Sequence, residues 1–299
     1  MEGLISMTYT AWIITTASLV GLSCGLVGVF LILRKMAMMA DAISHTVLLG
    51  IVIAFLITHE VTGPAMLVGA IFAGLLTALL VQWLHSLNIQ QEAAIGIVFT
   101  TLFAIGVVLI TTSAGNVHLD VQHALMGEIT FIPWNTIALP LIGDVPKATV
   151  LLAFVFLIVV IVISAFYKEW KITTFDPALA ASLGIPVLLM HYVFMTLVSI
   201  TTVASFDAVG AILVVAMLIT PAATAYLWTD RLFVMLLLSC TFGVLSAVTG
   251  YYIAVFIDTS ISGSMAFATG IMFIISFIFS PKYGVISKYV RPQNSSNQF

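Results

Sequence analysis

Long apolar runs separated by short polar interruptions set the pattern of the chain. They fall at residues 9–33, 36–57, 64–84, 93–112, 148–167, 186–204, 209–228, 232–257 and 264–280. Each approaches the about 20 apolar residues that carry a helix across a bilayer core. The pattern therefore predicts nine candidate spans and an all-α, polytopic transmembrane helix bundle, within a range of about 8–10 crossings. Residues 113–147 break the rhythm, mixing polar positions with shorter apolar stretches at 124–133 and 136–142. Pieces of about ten residues suit re-entrant or interfacial segments better than spans, while a tenth crossing or a merged eight-span arrangement stays open.

Composition agrees. Of 299 residues, 62% are hydrophobic and 7% charged, too few charges to cover a water-facing surface. Nearly the whole chain is then membrane, read as one transmembrane domain over 1–299, with no soluble catalytic domain left over. A net charge of −3 with nine basic residues excludes a nucleic-acid binder, which needs clustered Lys and Arg. Cys24 and Cys240 each lie inside an apolar run, where thiols act as small hydrophobes rather than bridge partners. Glu2 with no nearby Lys or Arg marks the first run as a retained helix rather than a secretory signal. The tail at 292–299 reads as disordered.

Sidedness follows from the basic residues. With the N-terminus outside, Arg34, Lys35, Lys168, Lys171, Arg231, Lys282, Lys288 and Arg291 face the cytoplasm and only Lys147 lies outside, as the excess of Lys and Arg on cytoplasmic loops requires. The count assumes an even number of crossings within 113–147. Trp12, Trp83, Trp170 and Trp228 sit at span ends and read as interfacial anchors. Gly21, Gly25 and Gly28, and Gly69 with Ala73 and Gly74, have the spacing of helix-packing seams.

Charged groups inside a span are functional candidates. Ten of the twelve acids lie in loops or at span ends, and Asp207 reads as an N-cap at the start of the seventh span. Asp41 remains, followed by His45. Asp and His at i and i+4 share one helix face, so carboxylate and imidazole can converge on one ion. A start near Met36 puts His45 about 14 Å into the core at about 1.5 Å per residue. The competing reading is a capping Asp41 in the headgroup region. Two donors do not complete a site for a transition metal, which takes four to six; a symmetric pair of chains would supply two of each. Such a set suits manganese and also zinc. His118, Asp120 and His123, near Glu128, and the pair His59 and Glu60 are candidates for capturing metal at the outer mouth, or else ordinary surface residues; His85 and His191 stand after them.

In the loop between the fifth and sixth runs, Asp176 before Pro177 is a helix start, and Gly184 before Ile185 and Pro186 is a stop. A helix this short is unstable alone in water, so it must dock on the protein itself or in a partner's groove. Pro221 falls inside the seventh run, where it is either a hinge lining a pathway or a kink packed by small neighbours.

Three stretches, 41–45 (Asp-Ala-Ile-Ser-His), 175–184 (Phe-Asp-Pro-Ala-Leu-Ala-Ala-Ser-Leu-Gly) and 213–225 (Leu-Val-Val-Ala-Met-Leu-Ile-Thr-Pro-Ala-Ala-Thr-Ala), resemble in order and spacing the membrane subunits of ATP-binding-cassette importers for manganese, zinc and chelated iron. The resemblance covers about residues 12–282. It implies a type II importer in a bacterial plasma membrane, with the C-terminus cytoplasmic: two copies of this chain, two cytoplasmic ATPase subunits that bind ATP, and an extracellular metal-binding delivery protein. It also implies that Asp41 and His45 hold the passing Mn(2+) or Zn(2+), and that residues 176–184, with Asp176, Pro177, Leu179, Leu183 and Gly184, form the coupling helix that fits the ATPase. The chain has no phosphate-cradling Gly-x-x-x-x-Gly-Lys-Ser/Thr loop and no His-Glu-x-x-His motif, so it is read as a translocation subunit and not an enzyme. A secondary metal carrier driven by protons or sodium is the alternative.

Overall fold

The computed structural model describes residues 2–59, 64–113, 129–139, 143–281 and 284. Among them lie nine helices long and apolar enough to cross a bilayer. They are α1 (Glu2–Leu33), α2 (Met38–Thr58), α3 (Pro64–Ser86), α4 (Gln91–Ser113), α5 (Lys147–Ala165), α8 (Val187–Val209), α9 (Ala211–Trp228), α10 (Leu232–Ile257) and α11 (Ile261–Phe279). Two short helices, α6 (Tyr167–Phe175) and α7 (Pro177–Ser182), lie between α5 and α8. The expected all-α bundle is therefore what forms, because a bilayer leaves each spanning backbone no partner but its own helix.

α1 is central and α4 peripheral: 67% of the α1 span is buried against 28% of α4. Small residues bring the central helices together. A Cβ on Gly21 would lie 2.8 Å from the Gly243 carbonyl carbon of α10, and one on Gly28 would overlap the Leu218 carbonyl oxygen of α9. Ser239 donates to the Gly25 carbonyl at 2.9 Å across the same interface. α3 meets α2 where Gly69 faces Gly50, and meets α8 where Gly74 faces Ser199. These glycines act as the predicted packing seams. Cys24 and Cys240 are free thiols.

Within the interrupted region the described part, 129–139 and 143–146, contains a 3-10 turn at Ile129–Trp134 and an antiparallel hairpin of β1 (Thr136–Leu139) and β2 (Gly143–Pro146). Neither crosses the bilayer. The turn sits at the end of α1 that carries Tyr9, whose hydroxyl donates to the Thr130 carbonyl. Arg34, at the other end of α1, donates to Thr174 at 3.1 Å and to Thr173 at 3.3 Å on α6. The two ends of the bundle are thereby distinguished. Residues 114–128 and the tail at 292–299 lie outside the described residues.

Two expectations are corrected. Trp170 is fully buried rather than interfacial, with its ring 5.6 Å from both Phe30 and Phe194. It belongs to α6, a helix the hydropathy pattern did not disclose because its Lys168, Glu169 and Lys171 read as loop. Asp207 is no N-cap: α8 runs on to Val209, and Gly210 alone joins it to α9 with φ 83° and ψ 163°, a conformation essentially restricted to glycine. The polar Ser205 and Asp207 made the end of that helix look like a loop. Trp83 and Trp228 remain exposed near span ends.

Candidate functional site

α2 begins at Met38, two residues later than the apolar run suggests. His45 therefore lies seven residues into the helix, about 10 Å from its start at about 1.5 Å per residue, shallower than the about 14 Å expected from a start at Met36. Asp41 occupies the first turn but makes no capping bond; the cap position is Ala37. Instead its Oδ1 lies 3.6 Å from Nε2 of His45. The Ser44 hydroxyl donates to the Asp41 carbonyl at 2.7 Å. The i, i+4 pair thus converges as the spacing predicted.

The surroundings explain how the pair is presented. On one side Thr77 of α3 donates to Thr46 at 2.8 Å, next to the Gly50–Gly69 contact. On the other side α4 closes in, with Gly106 against Leu49. Phe99 and Phe103 of α4, one turn apart, each stand 5.8 Å from the His45 ring. These aromatics were missed in the sequence: nothing in an apolar run marks which face meets an imidazole. Asp41 and His45 are each 35% exposed. The pair is therefore held sideways by α3 and α4 yet open outward, and a cation could reach both donors.

Among the described residues no group of three or more His, Cys, Asp or Glu comes together. One chain supplies two donors here. His59 caps the far end of α2 in a left-handed conformation, φ 57°, and its ring is 6.4 Å from Phe55. Its neighbour Glu60 lies outside the described residues, as do His118, Asp120, His123 and Glu128. His85, whose Nδ1 is 3.1 Å from the Ile89 carbonyl oxygen, and His191 line a separate cavity.

The short helix is built as its punctuation demands. Asp176 caps α7, its Oδ1 accepting from Leu179 N–H at 2.9 Å, and Pro177 takes the first turn. Gly184 ends it with φ 80°, a left-handed position suited to glycine. Phe175, Leu179 and Leu183 are 57%, 49% and 61% exposed; Ala180 packs inward. Pro221 is buried within α9, one residue from Ala222, which with Leu218 meets Gly28 of α1.

Among the described residues, nine candidate spans, a paired acid and imidazole on the second, and a capped helix with an apolar outer face between the fifth and sixth define the chain. Residues 6–280 match the model of the ABC 3 transport family. The chain belongs to that family. It is 58% identical to the manganese transport system membrane protein MntD of Bacillus subtilis, over 98% of this chain and 99% of that protein. To the zinc transport system membrane protein TroD of Treponema pallidum it is 40% identical, over 93% and 76% respectively. Among solved structures, PsaBC from Streptococcus pneumoniae in complex with Fab superposes with a TM-score of 0.78 at 34% identity, covering 96% of this chain and 98% of that one. The fold is that of an ATP-binding-cassette permease, in agreement with the sequence resemblance.

Proposed function

We propose that this chain is the membrane permease of an ATP-driven importer of divalent metal, manganese before zinc, in which Asp41 and His45 from two copies form the transient ion site. The observation that carries the reading is the 3.6 Å Asp41–His45 pair on an outward-open face of α2. A carboxylate and an imidazole are donors that manganese and zinc accept, and two chains meeting about a symmetry axis would raise two donors to four. The family match and the 58% identity to a manganese transport protein favour the same cargo. Because binding needs the neutral imidazole and the ionised carboxylate, protons compete with the metal and uptake should weaken in acid.

The rest of the assembly follows. α7 is the coupling helix: its capped, apolar outer face with Leu179 and Leu183 is the shape that fills a groove on an ATPase subunit, where ATP is bound and hydrolysed. Arg34, Lys35, Lys168, Lys171 and Arg231 belong to the end of the bundle that carries α7, and Lys147 to the other. This favours a cytoplasmic α7 and an outer N-terminus, with metal delivered by an extracellular binding protein. The deciding experiment is uptake by the intact complex carrying Asp41→Ala or His45→Ala, scored for manganese, zinc and iron at matched expression. Loss of uptake in both, with assembly intact, is expected; unchanged transport in both rejects the site. Uptake by this chain alone in liposomes, with no ATPase, would reject the ATP-driven reading.

A further inference from the structure

The end of the bundle that carries α7 encloses a second feature unrelated to the metal pair. A cavity of about 360 Å³ is bounded by the α1–α2 turn, the end of α3, the start of α4, α6, α7 and the start of α8. Arg34, Lys35, His85 and His191 line it, with Gln82 and Gln91; none of its lining residues is acidic. Among the described residues Arg34 has no carboxylate within 4.0 Å. Its guanidinium instead donates to the hydroxyls of Thr173 and Thr174 and lies 4.7 Å from the centroid of the Phe194 ring. Nε2 of His191 is shut off from solvent and has no hydrogen-bond partner.

A cation largely withdrawn from water is normally paired, because it gives up hydration that only a counter-charge or good hydrogen bonds can replace. Burial pushes Arg34 down to about 10, which leaves it charged at neutral pH. A cavity with this lining repels a divalent metal, so it is no part of the metal's route. Its spare donors are those that recognise a tetrahedral oxyanion: a guanidinium fork, an ammonium, imidazole N–H groups and side-chain amides. Its volume exceeds that of a single phosphate group, leaving room for an ester substituent.

We propose that this cavity is a binding site for a phosphate-class anion, either free phosphate or the phosphodiester headgroup of an anionic lipid, held by Arg34, Lys35 and His191 behind the short helix α7. Pro177 of α7 borders the cavity, and Thr173 and Thr174 tie its wall to Arg34. An occupant therefore steadies α6 and α7 against the ends of α1 and α8.

The test uses the purified permease–ATPase complex. Its melting temperature is measured in detergent with inorganic phosphate against chloride at matched ionic strength, and in nanodiscs of phosphatidylcholine with and without phosphatidylglycerol. A rise with phosphate in detergent assigns the site to the free anion. A rise only with phosphatidylglycerol assigns it to the headgroup. In either case Arg34→Gln should weaken the apparent affinity by about tenfold, one charge-assisted contact. Should that variant fail to assemble, Lys35→Asn, at an exposed left-handed position with φ 58°, and His191→Gln should each weaken it severalfold. No response to either probe, or a response unchanged in Lys35→Asn and His191→Gln, overturns the proposal.

Discussion

The seam between α1, α9 and α10 and the face of α2 towards α4 are both helix contacts within the bundle, but they are built from different residues and packed to different degrees. In the seam, glycines at 21, 25 and 28 admit backbone directly against backbone or a serine hydroxyl, and at 21 and 28 nothing larger than hydrogen fits. On the α2 face, Asp41 and His45 are each 35% exposed, and the ring contacts to Phe99 and Phe103 are at 5.8 Å. The difference teaches where motion can be accommodated. A close-packed backbone contact has no slack, whereas side chains on a half-open face can rearrange around an ion and let it go.

The sharpest way to break this comparison is Gly28→Leu, whose side chain has no space against Leu218. It should destabilise the assembled protein by about 3 kcal/mol or more, read as loss of folded complex and a lowered melting temperature; a normal melting curve would mean the seam is not rigid. Asp41→Ala and His45→Ala come next. They should reduce metal uptake by more than about tenfold, equivalent to at least about 1.4 kcal/mol in ion binding, while the melting temperature barely moves. If instead stability falls and uptake per folded complex is kept, the open face is structural. Asp176→Ala removes the α7 cap, worth about 1 kcal/mol of local helix stability, and should lower metal-stimulated ATP hydrolysis a fewfold without affecting assembly. Gly96→Ala is the smallest: a Cβ there meets nothing within 4 Å, so stability should change by less than about 1 kcal/mol. A larger loss at Gly96 would show that a second chain covers that side of α4.

What the sequence disclosed and what it hid divide along physical lines. The nine spans among the described residues were legible because crossing a bilayer requires a run of fixed length, and α7 was legible because Asp-Pro and Gly-Ile-Pro punctuate it locally. The Asp41–His45 contact followed from one helical turn of spacing. Burial within the membrane was not legible, since lipid-facing and helix-facing side chains are equally apolar. That is why Trp170 was read as interfacial and why Phe99 and Phe103 went unnoticed beside His45. The end of α8 was misjudged at Asp207 because polarity alone marked a boundary that Gly210 actually makes. The cationic cavity needed tertiary structure, as it gathers Arg34 from the α1–α2 turn, His85 from α3 and His191 from α8.

The buried Trp170 has a mechanical consequence. Its indole interlocks with Phe30 and Phe194, themselves 6.0 Å apart, so α6 is riveted to α1 and α8 rather than swinging free. A push applied to α7 by an attached motor would then be delivered to two membrane helices together, like force on a bell crank, and little of the stroke would be dissipated in the linker.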